Sequence, residues 1–269
     1  MFCWNVSSAQ DIGGRRIQED GAVVFLSADR TTALGVVADG LGGHGGGDIA
    51  SGIVIDAARE LWKVLPDRKE DGSALLDELI STANERILDQ HARCRNEART
   101  TFCGTLIRDG EVDITSVGDS RAYRLGADNP IERLTRDHSV TEMLLATGEI
   151  TEDAMRTHPD ASRLTQSLGS DNRLTPFRIR RQKAKPGDML LLCSDGLWQS
   201  FPRPDLGLAL KRLTVLGVKE LVEEARAIAG DGSDNVSAVV LQADTLEPAQ
   251  SRSVLGRSIR RWLHMRDGQ

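Results

Sequence analysis

Residues 101–117 read TFCGTLIRDGEVDITSV. Two apolar-rich segments, Thr101 to Ile107 and Glu111 to Val117, flank Asp109-Gly110. Asp-Gly between strand-like runs is a strong signal for a tight antiparallel hairpin. Strand-like runs continue on both sides. Ala122 to Leu125, Met189 to Cys193 and Val236 to Leu241 follow it, and Ala22 to Leu26 and Ala33 to Ala38 precede it. Phe2, Trp4 and Val6 alternate like a half-buried strand. Helical spacing is confined to blocks. Asp48 to Leu65 carries Ile53, Ala57, Leu61 and Leu65 on one face. Ser73 to Arg95 carries Leu76, Leu79, Ile80, Ala83 and Ile87. A third helix is expected near Lys219 to Ala229, and 139–173 reads as mixed helix and loop. Strands in hairpin series and helices in blocks predict an α+β layered fold with antiparallel sheets. They do not fit a doubly wound parallel sheet.

Composition narrows the function. The 269 residues include 34 Lys+Arg against 40 Asp+Glu, a net charge of −6, with 39% hydrophobic residues. That is a globular balance. The acidity argues against a non-specific nucleic-acid binder, and 4% aromatics leave few stacking platforms. No apolar run approaches a membrane span. The start, MFCWNVSSAQD, has no basic segment followed by an apolar one, so no signal peptide is expected. Cys3, Cys94, Cys103 and Cys193 show no close pairing. They read as reduced thiols of a cytoplasmic protein. A monomer is expected. Residues 1–244 form the expected body, with a flap at about 139–180. The tail, 245–269, differs in charge: five Arg against Glu247 and Asp267 give it +3 and leave the body at −9. Leu255, Ile259, Trp262 and Leu263 share one helical face there. The tail either packs on the body or docks on an acidic partner or anionic membrane surface.

Acids recur at the ends of the apolar runs. Glu19 and Asp20 precede one strand, and Asp39 closes another. Asp119 follows TSVG, Asp195 follows LLLCS, and Asp234 opens the run into Val236. Singly, each is most simply a turn residue. Together at the termini of one sheet system they would repel, and a bound cation removes that penalty. Oxygen-only ligands favour Mg²⁺ or Mn²⁺ over zinc. Arg15, five residues before Asp20, would be repelled by such cations unless a phosphate lay between them. Residues 40–45, GLGGHG, also match the dinucleotide pattern G-x-G-x-x-G. Asp39 would put negative charge beside a pyrophosphate, and no second strand ending in an acid follows the helix.

Six motifs now carry a resemblance: RRIQED (15–20), VVADGLGGHGGGDIAS (36–51), VGDSRAYRL (117–125), LTRDHS (134–139), LLLCSDGL (190–197) and SDNVSAVVL (233–241). In this order they resemble the metal-dependent protein serine/threonine phosphatases of the 2C type, and GEITEDAMRTHPDASRLTQSLG (148–169) resembles the flap of bacterial members. The resemblance implies a four-layer αββα sandwich with a binuclear Mn²⁺/Mg²⁺ centre at one edge. By motif, Asp39 bridges two ions, and Asp195 and Asp234 complete one site. Glu19 and the Gly40 carbonyl serve the other, with Asp20 holding a metal-bound water. Asp119 with Asp195 matches the position of a weaker third ion, and Arg15 matches the phosphate-binding arginine. Animal members carry a histidine general acid directly after the second motif's Asp-Gly. Here Leu41 stands there, leaving a metal-bound water as an alternative proton source. His44 reads as part of the glycine-rich turn, His138 as structural, and His158 as a flap residue. The implied reaction is hydrolysis of phosphoserine or phosphothreonine in a protein by water activated between two cations, reversing a bacterial kinase. The rival reading is a non-catalytic member that binds phosphoproteins.

Overall fold

A computed structural model describes residues 2–42, 46–94, 97–126, 130–170, 173–212 and 217–245. His44 and the basic tail beyond 245 lie outside the described residues. Two five-stranded sheets face each other. One runs β2 (Gly21–Leu26), β3 (Ala33–Ala38), β6 (Phe102–Arg108), β7 (Glu111–Val117) and β10 (Phe177–Lys183) from edge to edge. The other runs β1 (Phe2–Asp11), β12 (Val236–Thr245), β11 (Met189–Cys193), β8 (Arg121–Leu125) and β9 (Glu132–Arg133). A two-residue ladder joins β4 (Gly40–Leu41) to β5 (Arg99–Thr100). Every strand pair among the described residues is antiparallel. This removes the dinucleotide reading of 40–45, which needs a parallel βαβ unit.

The hairpin of 101–117 is present. Arg108 faces Glu111 across the turn, and Asp109 (φ 52°) and Gly110 (φ 73°) are both left-handed, as a type I′ turn requires.

Helices α1 (Gly47–Val64) and α2 (Gly72–Cys94) cover the outer face of the first sheet. Helices α5 (Asp195–Trp198), α6 (Arg203–Arg212) and α7 (Val218–Ala229) cover the outer face of the second. The layering explains the unbroken apolar runs. In β3, Leu34, Val36 and Ala38 pack on the helices, while Ala33 and Val37 enter the space between the sheets. In β11, Leu191 and Cys193 face helices, and Leu190 and Leu192 face the opposite sheet. A strand covered on both faces has no polar side to alternate with. The four cysteines are unpaired, and Cys3, Cys103 and Cys193 are buried. Among the described residues no helix is long and apolar enough to cross a membrane.

Between β9 and β10 lies a segment with two short helices, α3 (Val140–Ala146) and α4 (Glu152–Met155). Ser139 and Thr151 cap them, accepting the backbone N–H of Glu142 and Ala154. The segment expected to form a flap, about 139–180, overlaps this stretch, and Phe177 is already part of β10. That strand, FRIRRQK, carries four charged side chains and sits at a sheet edge. An edge strand with one open face shows no apolar run, and charge there also blunts edge-to-edge pairing. Helices α5 and α6 likewise lacked a readable period.

The flap is tied to the second sheet by Arg121 of β8. Its guanidinium grips Asp137 through Nε (3.0 and 3.1 Å) and Nη2 (2.6 Å) and lies 3.4 Å from the centroid of the Trp198 ring. Both charged side chains are at most 4% exposed. Removing one member of such a pair leaves the other charge buried alone. Asp137→Ala is therefore expected to destabilise the protein by about 3–5 kcal/mol in urea unfolding. The double change Arg121→Met with Asp137→Leu should recover most of that loss.

Candidate functional site

Strand register brings the acids to one edge of the sandwich. Gly21 pairs with Ala38, so Asp20 and Asp39 lie side by side just beyond β2 and β3. In the facing sheet, Asp11 pairs with Val236, placing Asp234 at the mouth beside the loop after β1. Cys193 pairs with both Arg121 and Ala238. Asp195 lies just past that ladder, and Asp119 and Asp234 just before their strands enter it. The turn acids of five separate loops thus become one cluster.

Electrostatics report their proximity. Asp39 is held far above the usual carboxylate range by burial, then by the charges of Asp20, Asp195 and Asp119. Asp119 is raised likewise, by burial and then by Asp195 and Asp137, against a lowering pull from Arg121. Asp20 is pushed up to about 7, by burial first and by Asp195 and Asp234, although the Ser194 and Ser237 hydroxyls oppose the shift. Asp195 rises to about 6 through burial and the charge of Asp234. These are carboxylates that cannot all ionise together without a compensating positive charge. The second oxygen of Asp20, Oδ2, is buried and has no hydrogen-bond partner.

Glu19 sits at a second corner. Burial and the charge of Asp48 raise its carboxyl, while the Gly47 backbone and Arg15 lower it. A Cβ on Gly47 would lie 2.7 Å from Glu19 Oε1 and 2.9 Å from the Gly40 carbonyl oxygen. Gly47, which opens α1, therefore leaves clear the space where the Glu19 carboxylate and the Gly40 carbonyl approach each other. The donor set is all oxygen, suited to a hard cation. Among the described residues, no three such side chains already close on a single point as a finished ion cage. Magnesium-like ions keep several waters and need only one or two carboxylates, so a few well-placed oxygens suffice.

Arg15 reaches the rim. Its Nη2 donates to Asp234 Oδ2 at 2.7 Å, and its side chain is 58% exposed. The sequence placed Arg15 near the acids with a phosphate between. The structure shows direct contact with one of them.

Three residues that the sequence reading did not single out hold the cluster. Asn235, 4% exposed, spends its side-chain amide on the loop carrying Arg15 and Glu19. Its Nδ2 donates to the carbonyls of Ile12 (2.8 Å) and Ile17 (3.1 Å), and its Oδ1 accepts from Glu19 N–H (2.8 Å). Thr101 accepts the Asp39 N–H on its hydroxyl (2.9 Å) and shares a hydrogen bond with Ser120 (2.6 Å), next to Asp119. Gln199 donates to Asp195 Oδ2 (2.9 Å). The "DN" pair in SDNVS was the only available signal, because an Asn after a strand-end acid can tie a loop.

Among the described residues, His138 and His158 do not join the acids. His138 accepts the Gly118 N–H at Nδ1 (3.2 Å) and places Nε2 3.1 Å from the Thr175 carbonyl, a neutral structural ring. His158 accepts the Asp160 N–H within the flap.

Known proteins match this arrangement. A sequence model described as protein phosphatase 2C matches residues 16–220. The serine/threonine phosphatase stp of Listeria monocytogenes serotype 4b is 30% identical over 89% of this chain and 95% of its own. The serine/threonine phosphatase Stp1 from Staphylococcus aureus superposes with a TM-score of 0.77 at 27% identity, covering 88% of this chain and 94% of that one. The catalytic domain of PstP, solved in complex with two manganese ions, also gives 0.77, at 28% identity, covering 91% of this chain and all of that one. With the four-layer sandwich, the acidic edge and a family match over three quarters of its length, the chain belongs to the protein phosphatase 2C family of serine/threonine phosphatases.

Proposed function

We propose that this edge binds divalent cations and hydrolyses phosphoserine or phosphothreonine in a protein substrate. The observation that carries the reading is the convergence of Asp20, Asp39, Asp119, Asp195 and Asp234, with an orphaned Asp20 oxygen inside the cluster. Asp39 faces both halves and is the best candidate for a ligand shared by two Mn²⁺ or Mg²⁺ ions. Asp195 and Asp234 would complete one position, and Glu19 with the Gly40 carbonyl the other. Asp119 beside Asp195 offers a weaker third. When bound, such ions supply positive charge for the phosphoryl oxygens and a lower pKa for water. PstP, with two manganese ions, supports this metal class.

The chain's own groups do the rest. Arg15, paired through one nitrogen and half open to solvent, presents its remaining donors to the phosphoryl oxygens. Asp20 offers its free oxygen as acceptor to a water in the cleft. Attack in line on phosphorus expels the seryl or threonyl oxygen, which takes a proton from solvent because Leu41 has none to give. No cysteine acts as nucleophile: Cys103 and Cys193 are buried, and burial pushes both thiols far up. Every acid whose loss would mark a non-catalytic binder is in place. A bacterial Ser/Thr kinase as the opposing enzyme, a phosphorylated protein as substrate and a cytoplasmic setting complete the reading.

Asp39→Asn should lower manganese-dependent hydrolysis of p-nitrophenyl phosphate by at least two orders of magnitude while the protein stays folded by circular dichroism. Near-normal rates would remove Asp39 from the centre.

Acidity also sets the behaviour of the metal-free protein. Asp20 and Asp195 titrate higher when folded (about 7 and about 6) than in an unfolded chain. The folded form therefore binds more protons, and their contribution falls as pH rises from about 4 to about 7. Glu70 and Glu111, lowered to about 2 by arginine partners, act in the opposite sense but below that window. His138, lowered by burial, favours folding as pH rises and partly masks the trend below about 6.5. In chelator the melting temperature should thus fall as pH rises through about 6 to 7, and millimolar Mn²⁺ should raise it more at pH 8 than at pH 6. Asp39→Asn should flatten the chelator profile; an unchanged slope would contradict the shared-charge account.

Asn235→Ala should leave Asp234 in place but free the loop of Arg15 and Glu19. A several-fold rise in KM for a phosphopeptide and a loss of about 1–3 kcal/mol in stability are expected. Calorimetric binding and urea titration check both.

A further inference from the structure

We infer that Gln199 is a positioning residue for the acidic centre, holding the Asp195 carboxylate in a one-oxygen-free orientation. This rests on the metal reading above. Asp195 opens the four-residue helix α5, and Gln199 follows its end. One helical turn apart, the two side chains meet: Gln199 Nε2 donates to Asp195 Oδ2 at 2.9 Å. Asp195 also lies close enough to Asp39 for the two carboxyls to influence each other's protonation. An amide N–H₂ group can only donate, so it can fix a carboxylate oxygen but offers no lone pair to a cation. The Oδ2 atom is thereby partly committed, which restricts rotation of the carboxylate. A carboxylate restrained in this way keeps one orientation before any ion arrives, which lowers the cost of ordering it on binding.

Gln199 is itself fixed. Its backbone N–H donates to the Asp195 carbonyl (2.9 Å), and its carbonyl accepts from Arg156 Nε of the flap (2.8 Å). The neighbouring Trp198 is pinned by Nε1 donating to the Asp119 carbonyl (3.0 Å) and by Arg121 stacked on its ring. The amide therefore reaches Asp195 from a backbone anchored on the flap side and on the Asp119 side. A glutamine serving only to end a short helix would need neither anchor nor contact with the acid.

The test uses the full-length protein stripped with chelator. Mn²⁺ is titrated calorimetrically into wild type, Gln199→Met, which keeps the length without the donor, and Gln199→Asn, which keeps the amide one carbon short of Asp195. Urea unfolding in chelator is measured alongside. The expected result is a 10- to 100-fold weaker Mn²⁺ affinity in both variants, the range typical for loss of a ligand-orienting partner. Metal-free stability should stay near wild type, and at saturating Mn²⁺ kcat should recover more than apparent metal affinity does. Should Gln199→Met fail to fold, Gln199→Asn carries the test. Affinity within twofold of wild type in a folded variant overturns the positioning role. Absence of Mn²⁺ binding in wild type would overturn the metal reading itself, a separate outcome.

Discussion

Mutual repulsion among carboxylates at one edge of the sandwich is the constraint around which the rest of the structure is organised. A group such as Asp39, surrounded by Asp20, Asp195 and Asp119 in a poorly solvated corner, would by itself drive the strand ends apart or take up protons. The sheets resist the first outcome. Each acid sits one or two residues beyond a ladder whose register is fixed by side chains packed on both faces. Moving one acid by a few ångströms would mean slipping a strand, which exchanges its core-facing and helix-facing residues. In β3 and β11, buried throughout, that exchange would disrupt packing on both faces of the strand.

Rigid strands alone do not aim side chains, and the loops supply that precision through hydrogen bonds to fixed backbone. Thr101 and Thr100 bracket the Asp39 peptide, one hydroxyl accepting its N–H and the other donating to its carbonyl. Asn235 folds the 12–19 loop around its amide. Arg121 holds the flap and the Trp198 helix against the same edge. These groups are neutral or fully paired, so they stiffen the site without adding to the charge that a cation must offset. The segment between β9 and β10 is joined to the body by ion pairs and backbone contacts and by the buried Met155 and Leu168.

The division between what could and could not be read follows from the same physics. Doubly covered strands announce themselves as apolar runs, and Asp109-Gly110 announces its turn, because both signals are local. The strand-end acids were legible because each sits directly beside such a run, before or after it. Phe177–Lys183 was not, because an edge strand's stability comes from one neighbour, β7, and its open side is charged. Thr101, Asn235 and Gln199 were not, because each acts on a residue brought close by topology: Thr101 on Asp39 across 62 positions, Asn235 on Glu19 across 216. Even the i, i+4 contact of Gln199 with Asp195 has meaning only once Asp195 is known to face Asp39.

Arg15 shows how the acidic excess becomes useful. A body of net charge −9 would repel a phosphorylated substrate unless its cleft reversed sign locally. Under the proposed function, Arg15 would contribute to that reversal at the rim while keeping its contact with Asp234. A guanidinium has five N–H donors in a rigid fork, and the contact with Asp234 uses Nη2. The acid orients the arginine, which stays 58% exposed; under the proposed function its other nitrogens would be available for two-point contact with a phosphoryl group. A lysine could not divide its charge in this way, since its compact ammonium presents no planar edge to match a phosphate. The Asn235 amide holds the 12–19 loop that carries Arg15, donating to the Ile12 and Ile17 carbonyls and accepting from Glu19 N–H, so the guanidinium starts from a fixed backbone.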